Sequence, residues 1–158
     1  MFRRLSRAVP FAARLRARGP VTGDAIRPTR LLIQELLDTY GLAHILDEDG
    51  DIVVEWETCK IYFLFYGERR EVLQARMYLT RRFSVESRPT LAMMLDDWNR
   101  TKLSPKAYTL LPDDGLVGVG AEQCFDFELG MSRDQLTYTV ASWIDSLLRF
   151  AEWVDEQV

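Results

Sequence analysis

The stretch that decides the fold is DEDGDIVVEWETCKIYFLFY, residues 47–66. Its Asp49-Gly50 pair follows one apolar run and precedes another, which predicts a hairpin because glycine accepts the positive φ of a tight turn. Apolar and polar residues then alternate over residues 52–57, the pattern of a strand with one buried face and one polar face. Residues 61–66 are apolar on both faces, which predicts a central strand covered twice, by the protein's own helices or by a partner.

Outward from this stretch, three segments repeat apolar residues at helical spacing. Thr29 is the predicted N-cap of the first, and Ser132 with Gln135 forms a capping box at the start of the last. The predicted helices lie within residues 29–40, 87–99 and 132–154, and the other strands within residues 43–46, 72–80, 106–111 and 116–128. The resulting order, α-β-β-β-β-α-β-β-α, predicts an α+β fold, an antiparallel sheet with three helices packed on it.

The charge divides the chain into a leader and a body. Residues 1–30 hold eight arginines against one aspartate, a net charge of +7, which leaves −11 for the rest of a chain whose total is −4. We expect residues 1–26 to be a disordered arginine-rich leader and residues 27–158 to be one domain. An organellar transit peptide or a membrane-surface helix remains an alternative for the leader. No apolar run approaches the ~20 residues of a membrane span, and we do not expect nucleic acid to be the partner.

Few residues are available for catalysis. His44 is the only histidine, and because no serine or cysteine nucleophile is signalled near it, we interpret it as a packed or surface residue. Cys59 and Cys124 each lie within a predicted strand, and we interpret them as buried thiols in a reducing, cytoplasmic compartment. The sequence therefore predicts that the protein is not an enzyme.

Two motifs resemble ligand-binding loops, but neither matches the spacing that the loop requires. The acidic turn at residues 47–51 does not fit a calcium loop, because carboxylates are missing from both ends of the required spacing. Gly118 and Gly120 form a G-x-G without the third glycine of a dinucleotide loop, so we expect them to permit a bulge or a close backbone contact. We predict no metal and no cofactor.

Several segments, in a fixed order, carry a family resemblance. They are the helix at residues 31–40, DEDGDIVVEW, IYFLFYGE, VLQARMYL, the Trp98-Asn99 pair, AYTLLPDDGLVGVGAE and LGMSRDQL. In their order and spacing, over about residues 27–157, the chain resembles the YbjN family, described as candidate regulators of bacterial sensory transduction. The resemblance implies a fold similar to the type III secretion chaperones, small α+β homodimers that bind extended segments of client proteins. It supplies no catalytic residue.

The chain also holds many large aromatic side chains. Either their number exceeds what a one-sided core requires, or all of them fill that core. Tyrosine and tryptophan suit interfaces, since each joins a large apolar body to a polar tip. The candidate partner-binding residues are Trp56, Tyr62, Tyr66, Trp98 and Asn99, although Asn99 is alternatively a helix C-cap. We predict a non-catalytic binding or regulatory protein that acts through protein–protein contacts, as a homodimer. The alternative is a small-molecule or nucleotide sensor with a pocket between sheet and helices.

Overall fold

A six-stranded antiparallel sheet organises residues 25–158, the part of the chain that the computed structural model describes. The strands are β1 (Ile45–Leu46), β2 (Ile52–Glu55), β3 (Cys59–Tyr66), β4 (Val72–Leu79), β5 (Lys106–Leu110) and β6 (Gly118–Asp126), in the spatial order β1-β2-β3-β4-β6-β5. The helices are α1 (Arg30–Thr39), α2 (Arg88–Thr101) and α3 (Arg133–Gln157). This confirms the predicted fold class and order of elements. The predicted leader, residues 1–26, lies outside the described residues except for its last two.

Local sequence signals set the bounds of these elements. The Thr29 side chain accepts a hydrogen bond of 3.2 Å from a backbone N–H three residues on, at the start of α1. Ser132 accepts one of 3.1 Å from the backbone of Gln135, at the start of α3. Gly50 adopts a φ of +77° in the turn between β1 and β2. The N-caps Thr29 and Ser132 and the predicted turn are therefore confirmed.

All three helices lie on one face of the sheet. The Gln123 amide on β6 donates to a serine hydroxyl of α3 at 2.7 Å. Tyr40, at the end of α1, donates its hydroxyl to the backbone oxygen of Thr137 on α3 at 2.9 Å. Trp98 of α2 packs edge-on against Phe150 of α3, with ring centroids 5.0 Å apart. The main core therefore lies between the helices and the strand side chains that face them.

The apolar stripe of α3 is buried in this core. Its members are Leu136, Val140, Trp143, Leu147, Phe150 and Val154. In the structure this stripe covers the sheet. No helix among residues 25–158 combines the length and the apolar character that crossing a bilayer requires.

The opposite side of the sheet differs from the sequence pattern at one position. The alternation in β2 predicts a polar face that includes Val53, yet Val53 is only 3% exposed. It lies directly between Ile45 of β1 and Tyr62 of β3, whose side chains share its face and shield it from water. The second face of the sheet is therefore partly apolar.

Candidate partner-binding surface

The candidate site is the helix-free face, defined as the side of the sheet opposite the three helices. Successive strand residues point to opposite faces, so the register fixes which side chains lie together here. Tyr62 of β3 lies opposite Arg76 of β4, which in turn lies opposite Glu122 of β6. The face comprises Ile45, Val53, Glu55, Lys60, Tyr62, Leu64, Tyr66, Val72, Gln74, Arg76, Tyr78, Lys106, Tyr108, Leu110, Gly118, Gly120, Glu122, Cys124 and Asp126.

Three half-buried tyrosines cross the middle of the helix-free face. The rings of Tyr62 and Tyr78 meet edge to face, with centroids 5.8 Å apart. Tyr78 and Tyr108 flank Gly120 from the two neighbouring strands. A Cβ at Gly120 would lie 2.9 Å from a ring carbon of Tyr108, so only glycine lets this ring rest on the backbone. The close backbone contact predicted for this glycine is confirmed.

A polar network lies beside these rings. Arg76 Nε lies 3.1 Å from Oε2 of Glu122, and the Tyr108 hydroxyl donates to the same oxygen at 3.1 Å. Burial, together with the nearby negative charge of Glu122, raises the pKa of Tyr108 above its ordinary value. The hydroxyl therefore stays protonated and remains a donor to Glu122. Aromatic rings beside a fixed arginine are typical of the centres of protein–protein interfaces.

The structure brings two of the five sequence-predicted residues together on this face. Tyr62 and Tyr66 both lie there, and Tyr66 is well exposed. Trp56 follows β2, is half-buried and packs against the main core. Trp98 is 8% exposed, and its indole N–H donates to the backbone oxygen of Pro105 at 2.9 Å. Trp98 thus serves the core, and we retain Tyr62 and Tyr66 as candidates for partner binding.

Asn99 lies at the edge of the sheet, where its side chain pairs with the backbone of β5. Its amide nitrogen donates to the backbone oxygen of Ala107 at 2.9 Å, and its amide oxygen accepts from the backbone nitrogen of Ala107 at 2.9 Å. The side chain thus pairs with edge strand β5 as a neighbouring strand would. The C-cap interpretation was wrong, because α2 continues to Thr101 and the Asn99 amide is used by β5.

His44 packs beside α1. Its Nδ1 lies 3.2 Å from the backbone oxygen of Leu42 and 3.8 Å from Oδ1 of Asp38, and its side chain is mostly buried. This position agrees with its interpretation as a packed residue. Within residues 25–158, no group of three or more His, Cys, Asp or Glu side chains is placed to hold a metal ion.

The two cysteines differ in exposure. Cys59, at the start of β3, points into the main core, and burial raises the pKa of its thiol to about 11. Cys124 is exposed, so its interpretation as a buried thiol was wrong. The register places Cys124 on the helix-free face, near the exposed end of β6, where no described helix covers it.

The fold defines a class of protein, the two-layer α+β domains in which an antiparallel sheet carries its helices on one side. The YbjN family model, described as "Putative bacterial sensory transduction regulator", matches residues 29–156. The chain therefore belongs to the YbjN family. No match to a curated protein was found.

Two solved structures resemble the chain. The crystal structure of YbjN from E. coli, described as a putative transcription regulator, aligns with a TM-score of 0.69 and 14% identity over 85% of this chain and 96% of that one. At this identity the likeness establishes the fold alone. The crystal structure of an uncharacterized protein from Methanothermobacter thermautotrophicus aligns with a TM-score of 0.48 and 14% identity, over 81% of this chain and 96% of that one. We draw no conclusion from this weaker similarity.

Proposed function

We propose that this chain is a non-catalytic, cytoplasmic regulatory protein that acts by binding a protein partner with its helix-free face. One observation carries the proposal: three tyrosines and the Arg76–Glu122 pair lie together on a sheet face opposite all the described helices. Tyrosine and arginine dominate the binding energy of many protein interfaces. The description of the family as a regulator agrees with this function. So does the resemblance to secretion chaperones, which bind extended client segments.

Replacing Tyr62 and Tyr78 together by alanine is expected to reduce capture of the partner from the native host at least ~10-fold, because interface tyrosines contribute about 2 kcal/mol or more. Affinity purification read by quantitative mass spectrometry measures the loss. Tyr138→Ala is the matched control, since Tyr138 is an exposed tyrosine on α3, away from the helix-free face. Thermal melts of both variants confirm that they are folded.

Two outcomes contradict the proposal. In the first, the double variant retains the partners of the wild-type protein. In the second, Tyr138→Ala loses the same partners to the same extent, which would assign binding to the helical layer instead.

The proposed regulator works as a homodimer, and its two-fold contact lies at the β1 edge of the sheet. The stripe of α3 is buried and leaves no seam for a second copy. Edge strand β1, by contrast, exposes Ile45 to 57% and Leu46 to 49%. An edge strand presents unpaired backbone groups that a second copy of the same strand satisfies across a two-fold axis.

Light scattering at micromolar concentration is expected to give twice the chain mass of 18.3 kDa. Ile45→Asp is expected to shift the protein to the monomer, because a charge buried at an apolar contact opposes association. Leu129→Asp, at a residue that is exposed outside the sheet, is the control and is expected to leave the dimer intact. A wild-type protein of monomer mass at all concentrations would exclude the dimer.

A further inference from the structure

An open pocket lies at one end of the helix-free face, with a volume of about 400 Å³. This volume falls within the range of small-molecule sites. Its lining is more apolar than polar and comes from the first residues of β3 and β6, the last residues of β4 and β5, and the segment that follows β4. The lining residues are Lys60, Tyr62, Tyr78, Leu79, Thr80, Arg82, Leu110, Gly118 and Val119.

The absence of a side chain at Gly118 gives the pocket its shape. A Cβ at this position would lie 2.5 Å from Nη1 of Arg82 and 3.0 Å from Cγ of Leu110. Glycine therefore allows the Arg82 guanidinium to lie directly over the sheet. This arrangement places a planar cation beside the apolar side chain of Leu110 and the edge-to-face pair of Tyr62 and Tyr78.

The lining holds two cations and no carboxylate. Lys60 pairs with Glu55 at 2.6 Å, and Arg82 pairs with Asp114 at 3.7 Å, with all four side chains well exposed. An exposed ion pair at the longer distance is weak. A ligand carboxylate can therefore replace Asp114 and accept hydrogen bonds from two parallel N–H groups of the guanidinium, an arrangement that suits a bidentate anion.

We infer that this pocket binds a small organic anion with a flat, apolar body. The flat body lies against Tyr62, Tyr78 and Leu110, and the anionic group binds Arg82 and Lys60. Aromatic walls with a few convergent polar groups are the usual composition of small-molecule sites. The site differs from a pocket between sheet and helices, because Lys60, Tyr62, Tyr78 and Leu110 lie on the helix-free face.

Titration of naphthalene-2-carboxylate into the isolated, isotope-labelled protein, followed by amide NMR shifts, tests the inference. We expect a Kd of about 1 mM or below, with the largest shifts at Thr80, Leu110 and Gly118. Uncharged naphthalene-2-carboxamide is expected to bind at least ~5-fold more weakly. Arg82→Gln is expected to weaken carboxylate binding by a similar factor. Arg81→Gln is expected to leave it unchanged, since Arg81 pairs with Asp155 on the helical side.

Equal affinity for carboxylate and carboxamide, equal losses in the Arg82 and Arg81 variants, or shifts confined to other residues would each overturn the inference. If Arg82→Gln does not fold, Lys60→Gln provides the same test, with Lys102→Gln, directly after α2, as the control. The measurement requires no protein partner, so its result is independent of the proposed partner binding.

Discussion

Trp98→Ala is expected to lower the free energy of unfolding by about 3–5 kcal/mol. The Trp98 ring packs between α2 and α3, with its centroid 5.0 Å from that of Phe150 and 4.7 Å from that of Trp153. Alanine removes these contacts and leaves a cavity. It also removes the indole N–H that donates to the backbone oxygen of Pro105, and leaves this oxygen without that hydrogen bond. A loss of this size is a large part of the stability of an ordinary domain.

Urea denaturation of wild-type and variant protein measures the change. Met93→Ala is the control, because Met93 lies on the same helix and is 75% exposed, so its removal is expected to change stability by less than about 0.5 kcal/mol. A loss below about 1 kcal/mol in Trp98→Ala would show that the ring is not packed in the core. That result would return Trp98 to the candidates for partner binding.

The second large effect concerns thiol chemistry. At pH 8, Cys124 is expected to react with a disulfide reagent at least ~100-fold faster than Cys59. Cys124 is exposed on the helix-free face, whereas Cys59 is completely buried. The thiolate is the reactive form, and a Cys59 pKa of about 11 leaves only about one thiolate in a thousand at pH 8. The buried thiol therefore reacts mainly when the structure opens.

Cys124→Ser and Cys59→Ser separate the two reactions. The first variant is expected to lose the fast phase, and the second is expected to keep it unchanged. In urea, both thiols of the wild-type protein become equally accessible, which checks the reagent. A fast phase that survives in Cys124→Ser would show that Cys59 is exposed and would contradict the register of β3.

The local features of the fold could be predicted because their causes lie within a few residues. Ser132 caps α3 through its own side chain, and Gly50 makes its turn through its own φ. Hydrophobic periodicity likewise placed the stripe of α3, from Leu136 to Val154, on one side of the helix. Each of these signals is contained in a single segment of sequence.

The candidate surface could be predicted only in part, because its identity depends on where other elements pack. The alternation in β4 separates Arg76 and Tyr78 from Leu73, but it does not reveal which side the helices cover. Sequence reasoning therefore missed Arg76, Tyr78 and Tyr108. It identified Tyr62 and Tyr66 because tyrosine suits interfaces and the chain holds many large aromatic side chains.

The same limit explains Asn99 and Cys124. The pairing of Asn99 with Ala107 joins a helix to a strand across a loop, and local sequence carries no signal for such a contact. Cys124 is exposed because it lies on the helix-free face near the end of β6, and sequence periodicity does not reveal which face the helices leave uncovered.

Site-specific photo-crosslinking in the native host tests the central claim most directly. A photoreactive benzoylphenylalanine replaces Leu64 on the helix-free face in one variant and Tyr138 on α3 in another. Our account predicts a discrete protein adduct from position 64 and little from position 138, with the adduct lost when Tyr62 and Tyr78 are also replaced by alanine. Adducts from position 138 alone would contradict the assignment of partner binding to the helix-free face.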